Sequence, residues 1–159
     1  MKLEGSCHCG AVRFRLTSAH PYPFNLCYCS ICRKTAGGGG YAINLGGEAD
    51  SLEVEGGEHV RVYHAKEPGG GESPLGRRFC EHCGSMLWAW DSRWPELAHP
   101  FASAIDTPLP MPPERTHLML GSKAPWVEPC VRENDQTFEE YPDESIAAWH
   151  QRLGLEAEE

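Results

Sequence analysis

No apolar run in this 159-residue sequence is long enough to cross a bilayer. Nor is there a secretory h-region, since Met1-Lys2-Leu3-Glu4-Gly5 leads straight into the first cysteines. The expected compartment is therefore the reducing cytoplasm, where clustered cysteines serve as metal ligands or catalytic groups more often than as disulfides. A long basic tract is missing too. With 14 Lys and Arg against 23 Asp and Glu, the formal net charge is -9, which argues against a general nucleic-acid binder. Helical periodicity is scarce, whereas Gly 17 and Pro 13 favour short strands joined by many turns. The length suits one core, and residues 1–159 are expected to form a single, mostly β domain.

The clearest strand signal is Ala11-Val12-Arg13-Phe14-Arg15-Leu16-Thr17, whose alternation gives one buried face. Strand-like runs recur at 41–45, 52–54, 60–64, 86–90, 101–105 and 117–120, with turn residues between nearly all of them. Residues 66–74 hold three consecutive glycines and little that can pack, and are expected to be a mobile surface loop. One helix is predicted, over about 143–153. Ile146, Trp149 and Leu153 share a face, acidic residues precede them, Arg152 suits the C-terminal dipole and Gly154 stops the run. The tail, 156–159, is expected to be solvated and frayed.

Chemistry concentrates in cysteine. Seven of the eight fall into three clusters: Cys7 and Cys9, Cys27, Cys29 and Cys32, and Cys80 and Cys83. A Cys-x-Cys joined to a Cys-x-x-Cys supplies four thiolates, the donor set of a closed structural zinc site. Gly10 and Gly84 follow these pairs and let the backbone turn its amides toward sulfur. The middle cluster offers only three ligands. Three protein ligands and an exchangeable fourth make a catalytic zinc, which activates a bound water or thiol or polarises a carbonyl. Two other readings stay open at this point: a second structural site completed by Cys130 or a histidine, and a redox disulfide. Arg33 and Lys34 directly follow the triad and are candidate partners for an anionic substrate. Trp126 is a candidate stacking surface, with core packing as its alternative. His8 and His82, lying between paired cysteines, are not expected to be ligands.

The motifs Gly5-Ser6-Cys7-His8-Cys9-Gly10-Ala11-Val12, Cys27-x-Cys29-Ser30-x-Cys32-Arg33-Lys34 and Phe79-Cys80-x-x-Cys83-Gly84 resemble the glutathione-dependent formaldehyde-activating enzyme family, which includes centromere protein V. Ser122-Lys123-Ala124-Pro125-Trp126 and the segment from Phe138 to Tyr141 extend the likeness over about residues 5–141. The resemblance implies a β-tent fold with two Zn2+ sites: a structural one on Cys7, Cys9, Cys80 and Cys83, and a catalytic one on Cys27, Cys29 and Cys32. It also implies a carbon-sulfur lyase acting on a small thiol such as glutathione, or its aldehyde adduct, to give S-hydroxymethylglutathione from formaldehyde. Two further classes compete. A zinc-stabilised binding module would have both sites closed, and an iron-sulfur or rubredoxin-like carrier would be coloured.

Overall fold

The computed structural model describes residues 1–155. Short strands dominate, as the turn-rich composition implies: β1 (Lys2–Ser6), β2 (Arg13–Thr17), β3 (Phe24–Cys27), β4 (Ala42–Asn44), β5 (Gly47–Glu48), β6 (Glu53–Glu55), β7 (Val60–Lys66), β8 (Glu72–Cys80), β9 (Met86–Trp90), β10 (Leu97–Pro100), β11 (Arg115–Leu118) and β12 (Gln136–Thr137). Two helices, α1 (Ser30–Ala36) and α2 (Ile146–Arg152), complete the regular structure. No helix among the described residues is long and apolar enough to cross a membrane.

The strands form three sheets, ordered β1-β2-β6, β5-β10-β9-β8-β7 and β12-β11-β3-β4. The five-stranded sheet divides two cores. On β9, Trp88 packs with Leu3, Phe14 and Leu16, while its neighbour Ala89 packs with Cys27, Phe101 and Leu118. That split follows from the two-residue period of a strand. Leu87 joins Trp88 on the same side because the β8–β9 register slips between Arg78↔Trp88 and Phe79↔Met86, leaving Leu87 as a bulge residue. The Phe14 and Trp88 rings meet at 5.1 Å, tilted by 52°, and burying each such side chain contributes roughly 2–3 kcal/mol.

Several expectations require correction. Residues 101–105 are not a strand but a 3-10 turn, Ala102–Ala104, flanked by isolated bridges from Phe101 to Asn44 and from Ile105 to Gly5. The apolar ends were legible because the segment hands the chain from one sheet to another. The 117–120 strand starts earlier and stops at Leu118, since Met119 has a φ of 59° and Leu120 begins another 3-10 turn. Residues 66–74 hold the end of β7, the start of β8 and the exposed turn 67–71 between them, closed by Glu67 N–H to Gly71 O (3.1 Å) and Gly70 N–H to Glu67 O (3.0 Å). Its polar composition reflects projection into solvent. Neither β8 nor α1 was anticipated.

The C-terminal helix was anticipated, but it begins later, at Ile146, with Ser145 Oγ accepting the Ala148 N–H at 3.1 Å as its cap. Glu144 lies outside the first turn. It pairs instead with Arg152, which also bonds Glu114 (2.5 Å to each). Trp149 is fully buried and donates its indole N–H to Glu114 at 2.8 Å. The expected frayed tail, 156–159, lies outside the described residues.

One polar network is buried behind β3. Asp135 accepts from the Arg115 backbone N–H (2.8 Å) and guanidinium (2.7 and 3.0 Å), from the Arg132 N–H (2.9 Å) and from His117 Nε2 (3.0 Å). With that proton committed to Asp135, His117 Nδ1 accepts the Tyr28 hydroxyl at 2.8 Å. Burial alone would raise the Asp135 pKa, but donation from Arg115, Arg132 and His117 overrides it and holds the carboxyl well below its usual range. A depressed pKa means stability that is present above the ordinary Asp value, about 3.9, and lost as pH falls toward the folded one.

Asp135→Asn is therefore expected to cost about 3 kcal/mol in urea unfolding at pH 7, because it removes the buried carboxylate that the largely covered Arg115 and the buried His117 share. The variant should also lose part of the wild type's decline in stability below about pH 4. An unchanged midpoint and unchanged acid slope would contradict this role.

Candidate functional site

The outer cysteines meet across 70 residues of sequence. Cys7, Cys9, Cys80 and Cys83 bring four Sγ atoms within 4.8 Å of one another. Cys7 and Cys9 lie 3.6 Å apart, and Cys9 and Cys80 3.8 Å. Each pair sits on a tight turn, closed by Gly10 N–H to Cys7 O (3.0 Å) and Gly84 N–H to Cys80 O (2.8 Å). Gly10 and Gly84 have φ of 79° and 75°, values that L side chains seldom adopt. The Val12 N–H points at Cys7 Sγ (3.2 Å). Ser85 Oγ lies 3.2 Å from Cys83 Sγ, and its donation with that of the Ser85 amide lowers the Cys83 pKa to about 5. Four converging thiols served by outside donors fit a tetrahedral ion held wholly by protein.

The second cluster forms where β3 gives way to α1. Cys27 ends the strand, Cys29 caps the helix by accepting the Cys32 N–H at 3.3 Å, and Cys32 lies in its first turn. The three Sγ atoms are within 4.8 Å of one another, and no histidine or carboxylate joins them among the described residues. The Cys27 and Cys32 thiols and the amides of Cys32 and Ile31 pull the Cys29 pKa far down. Cys27 is pushed up by the Cys29 and Cys32 thiols and by burial. The donor set fits an ion bound by three thiolates with one position left over.

Sequence reasoning missed the residue that completes this site. Arg77 is 5% exposed, and both of its terminal nitrogens lie 3.6 Å from Cys32 Sγ. No carboxylate pairs with it among the described residues, and its Nε has no partner. A buried guanidinium is costly unless an anion faces it; here the group facing it is the Cys32 sulfur, which a metal bound at the triad would hold as thiolate. Arg77 and Cys80 are three apart on β8, so they face opposite sides of the strand and serve different clusters. The one signal available was the pair Arg77-Arg78 interrupting a strand just before a cysteine motif.

A cavity of about 520 Å³ adjoins the triad, with Arg77, Leu75, Ala89 and Leu118 shared between its wall and the triad's packing. Its other cation, Arg93, is committed to Asp91 (2.6 Å), and Glu144 in its wall to Arg152. His99 Nδ1 donates to Leu45 O at 3.1 Å, and burial lowers its pKa. Tyr141 stands at the rim, 75% exposed, where partial desolvation and then the charge of Cys27, Cys29 and Cys32 raise its pKa. Trp149 of α2 closes another side.

The sequence-based substrate candidates lie elsewhere. Arg33 and Lys34 are on α1, half-buried and exposed respectively, and neither lines the cavity. Trp126 is 65% exposed and packs near Gly40, beyond α1, so neither core burial nor cavity lining describes it. Cys130 is exposed and joins neither cluster. His8 and His82 are not among the ligand sets of the cysteines, and His82 turns toward His59.

The family model for the glutathione-dependent formaldehyde-activating enzyme matches residues 2–120. A Halomonas elongata protein named "Putative glutathione-dependent formaldehyde-activating enzyme" is 69% identical over 156 residues, covering 98% of this chain and 99% of that protein. A crystal structure of a Rhodobacter sphaeroides protein is similar with a TM-score of 0.53 and 25% identity, over 69% of this chain and 92% of that one. The family match stops before Tyr141, Glu144 and Trp149, so α2 adds a cavity wall outside the matched core.

Replacing Arg77 by Met keeps the volume and removes the charge facing Cys32. Metal affinity at the triad should fall about 10- to 100-fold, the usual effect of losing such a partner, while the four-cysteine site keeps its metal. Competition with a chromophoric chelator distinguishes the two; equal retention at both sites would remove Arg77 from the account.

Proposed function

The chain belongs to the glutathione-dependent formaldehyde-activating enzyme family, and on that footing we propose that it joins glutathione to formaldehyde as a zinc-dependent carbon-sulfur lyase running in the direction of addition. The observation that carries this reading is a set of three thiols, Cys27, Cys29 and Cys32, beside a buried Arg77 and an open cavity. Residues 1–159 act as one zinc-stabilised β unit in the reducing cytoplasm, with no role for nucleic acid or membrane.

In the reaction the glutathione sulfur forms a bond to the formaldehyde carbon. The carbonyl π pair moves to oxygen, and the proton lost by the thiol ends on that oxygen, giving S-hydroxymethylglutathione. Cys27, Cys29 and Cys32 would hold a zinc whose positive charge would favour the thiolate form of a substrate sulfur and polarise a carbonyl. Cys7, Cys9, Cys80 and Cys83 would supply all four ligands of a second zinc, which would serve the fold.

The chain's own residues do the rest. Arg77 steadies the negative charge on Cys32 and keeps the triad in one arrangement. Leu75, Ala89 and Leu118 give the cavity next to the triad an apolar wall that keeps water away from the reacting sulfur. Arg33 and Lys34 have no carboxylate partner among the described residues, and are assigned to the carboxylates of glutathione on approach. Trp126, exposed beside the loop that follows α1, offers an apolar face to the same tripeptide.

Exchange NMR of glutathione with formaldehyde measures the turnover directly. Cys29→Ser should lose the acceleration by about 100-fold or more, the scale of charge stabilisation at such a centre, and should retain only the four-cysteine metal. A Cys29→Ser variant that kept both metals and full activity would refute the assignment. Two fully protein-saturated zincs without turnover would instead indicate a binding module.

A further inference from the structure

The 3-10 turn Gly57–His59 and the Cys80–Cys83 turn meet at the edge of the five-stranded sheet, where β7 is the outermost strand. The Glu81 N–H donates to His59 O at 2.9 Å, so the main chain already fixes the two segments relative to each other. Three side chains converge across that contact. His82 Nε2 lies 3.0 Å and Glu81 Oε1 3.3 Å from His59 Nδ1, and all three atoms fall within 4.8 Å of one another.

With an N–H on His59 Nδ1 or His82 Nε2 these contacts are ordinary hydrogen bonds; with the protons on the other ring nitrogens all three atoms turn a lone pair inward, the arrangement a cation can share. Ligand atoms around a tetrahedral ion with bonds of about 2.0 Å stand about 3.3 Å apart, close to the spacings found here. The outer contacts also match those of a metal site. Arg61 binds Glu81 Oε2 at 2.6 Å, leaving Oε1 turned to the imidazoles, and His59 Nε2 faces Glu58 Oε1 at 3.6 Å. None of the three ligands belongs to either cysteine cluster.

We infer that His59, Glu81 and His82 form a third metal site, for a borderline divalent cation such as Zn2+, separate from both cysteine sites and open to solvent at its remaining position. Two imidazoles and a carboxylate suit such an ion, which thiolate-poor surface clusters of acids alone do not select. Occupancy would tie the β7 edge to the four-cysteine turn through side chains as well as backbone.

The test begins with protein dialysed to a constant, tightly held zinc content, then titrated with Zn2+ alone by calorimetry. One further equivalent should bind, weakened at least about tenfold in both His59→Ala and His82→Ala, with the tight zinc content and circular dichroism unchanged. Lack of a further equivalent in the wild type, or a further equivalent whose affinity survives either substitution, overturns the site. The tight content itself reports separately on the cysteine clusters, so failure here leaves them unaffected.

Discussion

The triad depends on a hydrogen-bonded chain that contains none of its cysteines. Tyr28 sits between Cys27 and Cys29, and its ring is wholly buried on the far side of the strand. Its hydroxyl reaches His117, and His117 reaches Asp135, which Arg115 and Arg132 hold in turn. Each of these groups would be costly alone in the interior; together they satisfy one another. Because β11 pairs in parallel with β3, putting Leu118 beside Cys27, the network sets where the first thiol of the triad stands. The next two thiols are placed by α1, which Cys29 caps.

The same economy appears in the five-stranded sheet. Its middle strands are read from both sides, so one β8 delivers Cys80 to the closed site and Arg77 to the open one. A one-residue slip anywhere between them would send one group to the wrong core. This arrangement gives the two cysteine clusters different fates. One is sealed by four thiols and backbone turns; the other faces a buried cation and a cavity, with Glu144 and the α2 residues Ile146 and Trp149 in its far wall.

Much of this was legible beforehand, and the failures are instructive. Cysteine spacing alone separated the four-thiol set from the three-thiol set, because ligand spacing is a local property of a turn. Alternation found β2, whose faces are unambiguous. It missed β8, where Arg77 is buried against a sulfur distant in sequence, a partnership no local pattern encodes. Arg33 and Lys34 were chosen by nearness along the chain and Trp126 as an aromatic stacking face, whereas the cavity draws on residues from Pro23 to Trp149 that only the tertiary fold brings together. The Tyr28–His117–Asp135 chain was hidden for the same reason. Its members are separated by 89 and 18 residues.

Zinc K-edge absorption, recorded on the protein as isolated and again with glutathione, tests the central claim most directly. Four thiols in one cluster and three in the other predict two zincs sharing seven sulfur ligands, rising to eight when the thiol is added. Two zincs with eight sulfurs before addition, or with seven that stay seven at saturating glutathione, would contradict an open thiol-binding centre at Cys27, Cys29 and Cys32.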